Sequence, residues 1–313
     1  MTAEEWLAKR TYDGAAFDPE RLLDAGRASG ETISICLPTL DVEDTVGPIV
    51  AAIRERWMER IALVDELIVI DSASSDATAA RAREAGATVV HDAHVLPELG
   101  PGRGKGEALW KSLAATRGAI VGWIDSDIVD FDPAFVPGLI GPLLTTPGLS
   151  YVKAFYRRTL ADGSMNGGRV TEICARPLIN QFYPQLAGFI QPLSGEAAGR
   201  RRALESVPFF GGYAVEIGLL IDLLGAVGLD GLGQVDLGLR HHVNQPTDRL
   251  GLMAATITRA VLRRLAEDGR VPFEVVNAGG YRRPADGADG RILETHRIEP
   301  TERPPMARAR GGR

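Results

Sequence analysis

Ala119–Asp127 reads AIVGWIDSD: an apolar run from Ala119 to Ile124 meets two aspartates separated by one serine. A short apolar run with no alternation is the pattern of a strand buried on both faces. Such a strand delivers Asp125 and Asp127 to its carboxyl end, where open α/β sheets bind their ligands. Working outward, three earlier segments repeat the plan: TISICLP (32–38), DELIVIDSAS (65–74) and TVVHD (88–92). Between them lie stretches of helical spacing. In EDTVGPIVAAIRERWMERI Asp44 is the expected cap; in SDATAARAREAGA Asp76 caps and Gly86 ends the helix; ELGPGRGKGEALWKSLAATRG turns helical at Lys105. Strands alternating with helices predict a doubly wound, mostly parallel sheet. The strand ends Pro38–Glu43, Asp71–Ser72, His91–Asp92 and Asp125–Asp127 should then converge on one cleft.

The chain organises around this core. Residues 1–30 read as a polar helical arm, 31–150 as the half that alternates strands and helices, and 151–276 as a second half packed on it. In that second half LSYVKAFYRRTL reads as a strand, GGRVTEICARPLINQFYPQL as a turn feeding a helix, and PLSGEAAGRRRALESV as a loop and helix. GGYAVEIGLLIDLLGAVG reads as a buried helix, GLGQVDLGLRHHVN as a strand, and RLGLMAATITRAVLRRLAEDG as an amphipathic helix. Residues 277–313, rich in Gly, Pro and Arg, are expected to be a flexible tail.

Composition excludes several classes. With 45% hydrophobic and 24% charged residues the 313-residue chain is an ordinary globular one. Its net charge of -6 gives no general drive toward nucleic acid. The longest apolar runs carry acids and fall short of the roughly 20 residues of a membrane span. The N-terminus MTAEEWLAKRTYDG lacks a basic start and an apolar stretch, so a cytoplasmic protein is expected. Cys36 and Cys174 sit in apolar contexts and read as core rather than as a disulfide or metal ligands. Lysine occurs only at positions 9, 105, 111 and 153, which makes Lys105 stand out.

Five clusters carry the chemistry. An isolated Asp-x-Asp is more often a solvated turn, but the apolar run places this pair at the mouth of a buried sheet. Hard divalent cations take oxygen ligands, and magnesium uses one or two carboxylates completed by phosphate oxygens. In GPGRGKGEALW, glycines can present amides to an anion and Lys105 can neutralise a phosphate, although a purely conformational loop is a close rival. It is not a P-loop, because Leu99 stands where the first glycine belongs and Gly106 replaces the Ser or Thr. One of His241 and His242 in RHHVN could ligate metal, or be structural, beside Asn244. NGGRVTE, a glycine pair opening a helix, suits a phosphate or carboxylate, or is simply a helix start. Glu216, in the apolar segment with Tyr213, is costly to bury unless paired.

Taken in order over residues 31–268, LPTLDVEDTV, DELIVIDSASSDAT, GPGRGKGEALW, WIDSD, GGRVTE, PLSGE, GGYAVEIGLLID and GLRHHVN resemble the actinobacterial glucosyl- and mannosyl-3-phosphoglycerate synthases. These are retaining enzymes of glycosyltransferase family 81 with the GT-A fold. The resemblance implies a Rossmann-like, mostly parallel sheet flanked by helices, with a closely packed acceptor-binding half. It implies that Pro38, Leu40, Ser72 and Lys105 line the nucleotide site, with Asp125 and Ser126 beside ribose and pyrophosphate. Asp127 and His242 would hold Mg2+ or Mn2+. Gly168, Arg169, Thr171 and Asn244 would receive 3-phosphoglycerate, Tyr213 and Glu216 the sugar, and the Leu193 carbonyl would lie near the reacting carbon.

The implied reaction moves a hexose from a nucleoside diphosphate sugar to the 2-hydroxyl of D-3-phosphoglycerate with retention. Asp127, Lys105, Leu193 and Glu216 would be the catalytic residues, and relatives imply a homodimer. Where glucosyl members carry an acid after Leu-Asp, this chain has Val42. That departure leads to GDP-mannose as the first expectation, with GDP-glucose tolerated, and to glucosyl transfer from UDP-glucose as the alternative. A sugar-phosphate nucleotidyltransferase would share the sheet but needs a glycine- and arginine-containing loop after the first strand, where this chain has PTLDVED. A non-catalytic nucleotide-binding module would tolerate loss of the acceptor cluster, which is present here.

Overall fold

The structure is a computed structural model that describes residues 1–159, 168–241, 247–276, 280–287, 290–298 and 301–311. Its strands are β1 (Thr11–Asp13), β2 (Ile33–Thr39), β3 (Glu66–Asp71), β4 (Thr88–His91), β5 (Ile120–Trp123), β6 (Tyr151–Thr159), β7 (Ala197–Arg200), β8 (Phe209–Phe210), β9 (Leu232–His241), β10 (Tyr281–Gly287), β11 (Gly290–His296) and β12 (Glu302–Arg303). Among the described residues eight of them form one sheet in the order β1-β9-β6-β7-β5-β2-β3-β4. All neighbours are parallel except β7, which runs antiparallel to both β5 and β6. This is the expected mixed α/β, mostly parallel architecture of a GT-A fold.

Strand periodicity divides the core between the two faces of the sheet. Ile33, Ile35 and Leu37 of β2, with Leu67 and Val69 of β3, pack with helices Val46–Ile53 and Phe135–Thr145 on one side. Cys36, Ile68, Ile70 and Trp123 pack with helices Lys105–Ala115 and Val215–Val227 on the other. Both faces are covered, so the strands read as continuous apolar runs rather than alternating ones.

Three expectations need correction. The polar arm is part of the body: Trp6 is fully buried, its indole Nε1 donates to the Leu232 carbonyl at 2.8 Å, and β1 adds an edge strand beside β9. The loop in PLSGEAAGRRRALESV contains β7, which joins the two halves into one sheet; its residues AAGR have no intrinsic strand preference, and burial between β5 and β6 overrides that. The segment expected as a flexible tail folds where it is described. β10 and β11 form a hairpin, β12 pairs with β8, and helix Met306–Gly311 buries Met306 completely. Its arginines find carboxylates: Arg303 pairs with Glu107 at 2.7 Å and Arg310 with Glu205 at 2.8 Å.

Neither expected cap holds: Asp76 accepts from the Thr78 amide at 2.9 Å but stands one residue before the N-cap, Ala77, and the helix after β2 has Thr45, not Asp44, at its N-cap with no side-chain cap. No helix among the described residues is long and apolar enough to cross a membrane.

Candidate functional site

The carboxyl ends of β2, β3 and β5 open into a cavity of about 570 Å³. Pro38 and Leu40 come from the end of β2, Ser72 from the residue after β3, and Asp125, Ser126 and Asp127 from the turn beyond β5. The strand stops at Trp123 because the chain then leaves the sheet with its carboxylates. The turn is pinned from β2: the Ile124 amide donates to the Cys36 carbonyl at 3.2 Å, and Ser126 Oγ to the Pro38 carbonyl at 2.6 Å. Lys105 enters as the first residue of helix Lys105–Ala115, Tyr213 from the 3-10 turn Gly212–Ala214, and Glu216 from the start of helix Val215–Val227 that follows it. Leu193, before β7, also lines the cavity, as do Gly168, Arg169 and Thr171.

Every expected site residue that is described therefore borders one cavity. His242 and Asn244 lie outside the described residues.

The floor is a charge network. Lys105 Nζ donates to Asp125 Oδ1 and lies 3.4 Å from Glu216 Oε1. Burial opposes the Lys105 ammonium, but Asp125, Glu216 and Glu196 outweigh it and hold its pKa above the ordinary value. Burial likewise opposes ionisation of Asp125, and Lys105 with Arg240 still keeps that carboxyl below its ordinary value. Gly195 makes room for this pair, since a Cβ there would lie 2.0 Å from Asp125 Oδ2 and 2.3 Å from Lys105 Nζ. Charges packed this tightly, in a site largely shielded from water, act more strongly than at the surface.

Sequence reasoning missed four polar residues here. Arg240, near the end of β9, pairs with Glu196, with Asp127 Oδ1 at 3.0 Å and with Asp125 Oδ2 at 3.6 Å, and donates to Tyr156 Oη at 2.7 Å. Glu196 is fully buried and Lys153, on β6, is 1% exposed. All stand inside strings quoted for other reasons. The available signal was a charged residue within an apolar strand or a small-residue turn, which burial makes costly unless paired.

A divalent metal fits the donor set. Asp125 is committed to Lys105, while Asp127 stands 69% exposed and, among the described residues, pairs through Oδ1 with Arg240. One open carboxylate facing a cavity sized for a small ligand matches a cation that keeps water or phosphate oxygens in its shell.

Fold and site together define a nucleotide-sugar glycosyltransferase of the GT-A class, and the family model for Glycosyl transferase family 2 matches residues 34–207. The chain is 43% identical over 305 residues to the glucosyl-3-phosphoglycerate synthase of Petrotoga mobilis, covering 96% of this chain and 94% of that protein. Its structure superposes on the mannosyl-3-phosphoglycerate synthase of Rubrobacter xylanophilus with a TM-score of 0.90, 41% identity and 98% of each chain covered. It also matches the glucosyl-3-phosphoglycerate synthase of Mycobacterium tuberculosis in complex with Mn2+, UDP and phosphoglyceric acid, with a TM-score of 0.83, 44% identity, and 94% and 96% coverage; that enzyme is also solved with Mg2+ and UDP. The chain belongs to the glucosyl- and mannosyl-3-phosphoglycerate synthase family.

Proposed function

We propose that the protein transfers glucose from UDP-glucose to the 2-hydroxyl of D-3-phosphoglycerate, with retention at the anomeric carbon. The observation that carries this reading is that Lys105, Asp125 and Asp127 line the same cavity as Gly168, Arg169 and Thr171. A chain so close to named glucosyl-3-phosphoglycerate synthases supports glucose over mannose, against the first expectation from Val42. Asp127, together with His242, would hold Mg2+ or Mn2+, which supplies positive charge to the diphosphate. Lys105 adds charge where the leaving diphosphate develops negative charge. Pro38, Leu40 and Ser72 seat the nucleoside, with Asp125 and Ser126 beside it. Arg169 offers a guanidinium fork, beside the Thr171 hydroxyl and with Asn244, to the acceptor's phosphate and carboxylate.

Retention is what the family resemblance implies, and the pairing of the carboxylates favours a front-face route to it over a double displacement. Asp125 and Glu216 bond or neighbour Lys105, and Asp127 and Glu196 pair with Arg240, so none of these four is held ready as a nucleophile. The acceptor hydroxyl then attacks from the face the diphosphate leaves, giving up its proton to the departing phosphate oxygen, while the Leu193 carbonyl and Tyr213 border the sugar. The protein works in this reading as a cytoplasmic homodimer.

GDP-mannose is the second reading, because Val42 lines the cavity without an acid while Glu43 is turned to accept from the Ala77 amide at 2.8 Å. The test is turnover of purified protein with 3-phosphoglycerate, Mg2+ and each of UDP-glucose, GDP-glucose and GDP-mannose, with product anomers assigned by NMR. UDP-glucose should give the highest kcat/KM and an α-linked product. No turnover with any donor would sink the reading, and faster GDP-mannose turnover would replace it with the second.

A further inference from the structure

We propose that Arg303 is a positioning residue for the donor site: it clamps the glycine-rich loop before Lys105 onto the helix that Lys105 begins. Its guanidinium makes four contacts at once. Nε and Nη2 donate to the two carboxylate oxygens of Glu107 at 2.7 and 2.8 Å, Nη1 donates to the Leu99 carbonyl at 2.6 Å, and Nη2 also donates to the Gly100 carbonyl at 2.8 Å. The guanidinium carbon lies 5.3 Å from the centre of the Trp110 ring, and Trp110 Nε1 donates to the Pro304 carbonyl at 2.8 Å. Glu107 is 3% exposed and has Lys111 at 3.0 Å as its other cation. A planar fork meeting a carboxylate and two carbonyls is a task for arginine that lysine cannot repeat.

The loop is wound tightly about this clamp. A Cβ at Gly102 would lie 2.1 Å from the Glu107 carboxylate, and Gly104, at φ +79°, turns the chain directly into Lys105. The far side is fixed through the same strand. The Gly211 amide donates to the Thr301 carbonyl at 2.7 Å, and a Cβ at Gly106 would lie 1.9 Å from the Phe210 carbonyl. β12 thus joins the loop that ends in Lys105 to the segment that begins Tyr213 and Glu216. Lys105 Nζ reaches Asp125 and Glu216 only if both segments hold their places. A small displacement of a positioning group can cost orders of magnitude in rate, so a residue outside the cavity can govern donor use.

The inference rests on the assignment of Lys105 to the donor phosphates, and the test separates the two. Arg303→Ala is compared with Arg310→Ala, which removes another anchor of the same terminal segment, to Glu205 and the Leu113 carbonyl, without touching the loop. Arg303→Ala should raise the donor KM about tenfold or more and leave the 3-phosphoglycerate KM within about twofold, a split that general loss of stability does not produce. Hydrogen exchange of the amides in residues 99–106 should accelerate in Arg303→Ala and not in Arg310→Ala. Equal donor KM effects in the two variants, or unchanged exchange in Arg303→Ala, would overturn the positioning role. Should the wild type turn over no donor, the proposed function fails, and the exchange comparison still decides whether Arg303 orders the loop.

Discussion

At position 240 a guanidinium that is 8% exposed meets Glu196, Asp125 and Asp127, and it stacks on the Tyr156 ring at 5.1 Å. Burial pushes the Glu196 carboxyl above its ordinary pKa, opposed most by Arg240 and less by Lys105. Removing one partner of a buried pair leaves an uncompensated charge, which costs about 3–5 kcal/mol. Arg240→Ala should therefore lower the urea midpoint by a comparable stability loss, and Arg240→Ala with Glu196→Gln should recover part of it. Two additive losses would show that the pair is not coupled. Arg169 lines the same cavity and is the acceptor's guanidinium in the proposed function, so Arg169→Ala should raise the 3-phosphoglycerate KM about tenfold or more while the donor KM moves little. An unchanged acceptor KM would remove Arg169 from the acceptor site. Asp125, Asp127 and Lys105 could be singled out in the sequence because an apolar run or a glycine loop points at them. Arg240 and Glu196 carried only the weaker signal of a charge in an apolar strand or a small-residue turn, because the partners that explain them are distant in the chain; these two lie 44 residues apart.

Among elements, β6 carries the least expected group. Lys153 sits in the middle of the sheet, and burial, ahead of the attraction of Glu216 and the repulsion of Lys105, lowers its ammonium from 10.5 to about 8. Between those values the unfolded chain holds more protons than the folded one, so this group makes stability rise with pH through that window. The stability of wild type relative to Lys153→Met should accordingly improve from pH 8 toward pH 10, measured by urea unfolding at each pH; a difference independent of pH would refute the buried charge. The parallel strands β2 to β5 were legible because both faces bury apolar side chains. β7 was not, since Ala197–Arg200 is strand only by virtue of the two neighbours that hydrogen-bond it.

For the whole molecule, the terminal segment closes the structure around helix Lys105–Ala115. Ending the chain after residue 298 would strip Met306 from its fully buried seat and leave Glu107 with Lys111 as its cation among the described residues. Burial of one methionine is worth about 2 kcal/mol, and each kcal/mol corresponds to about 2–4 °C in a domain of this order of size. The truncated protein should melt at least about 4 °C lower by calorimetry, and an unchanged melting temperature would show that this docking adds nothing.

The sequence by itself determined the parallel α/β core, the strand ends that carry Pro38, Ser72 and Asp125–Asp127, and the position of Lys105 at a helix start. All of these are set by local hydrophobic periodicity and by where it breaks. Only the tertiary structure decided that the first 30 residues complete the sheet, that β7 bridges its two halves, that Arg240 and Glu196 balance the charges under the cavity, and that the arginine-rich terminus is docked. Each of those depends on a partner distant in the chain, and a charged or small residue acquires its role only when folding brings that partner within a few ångströms and takes the water away.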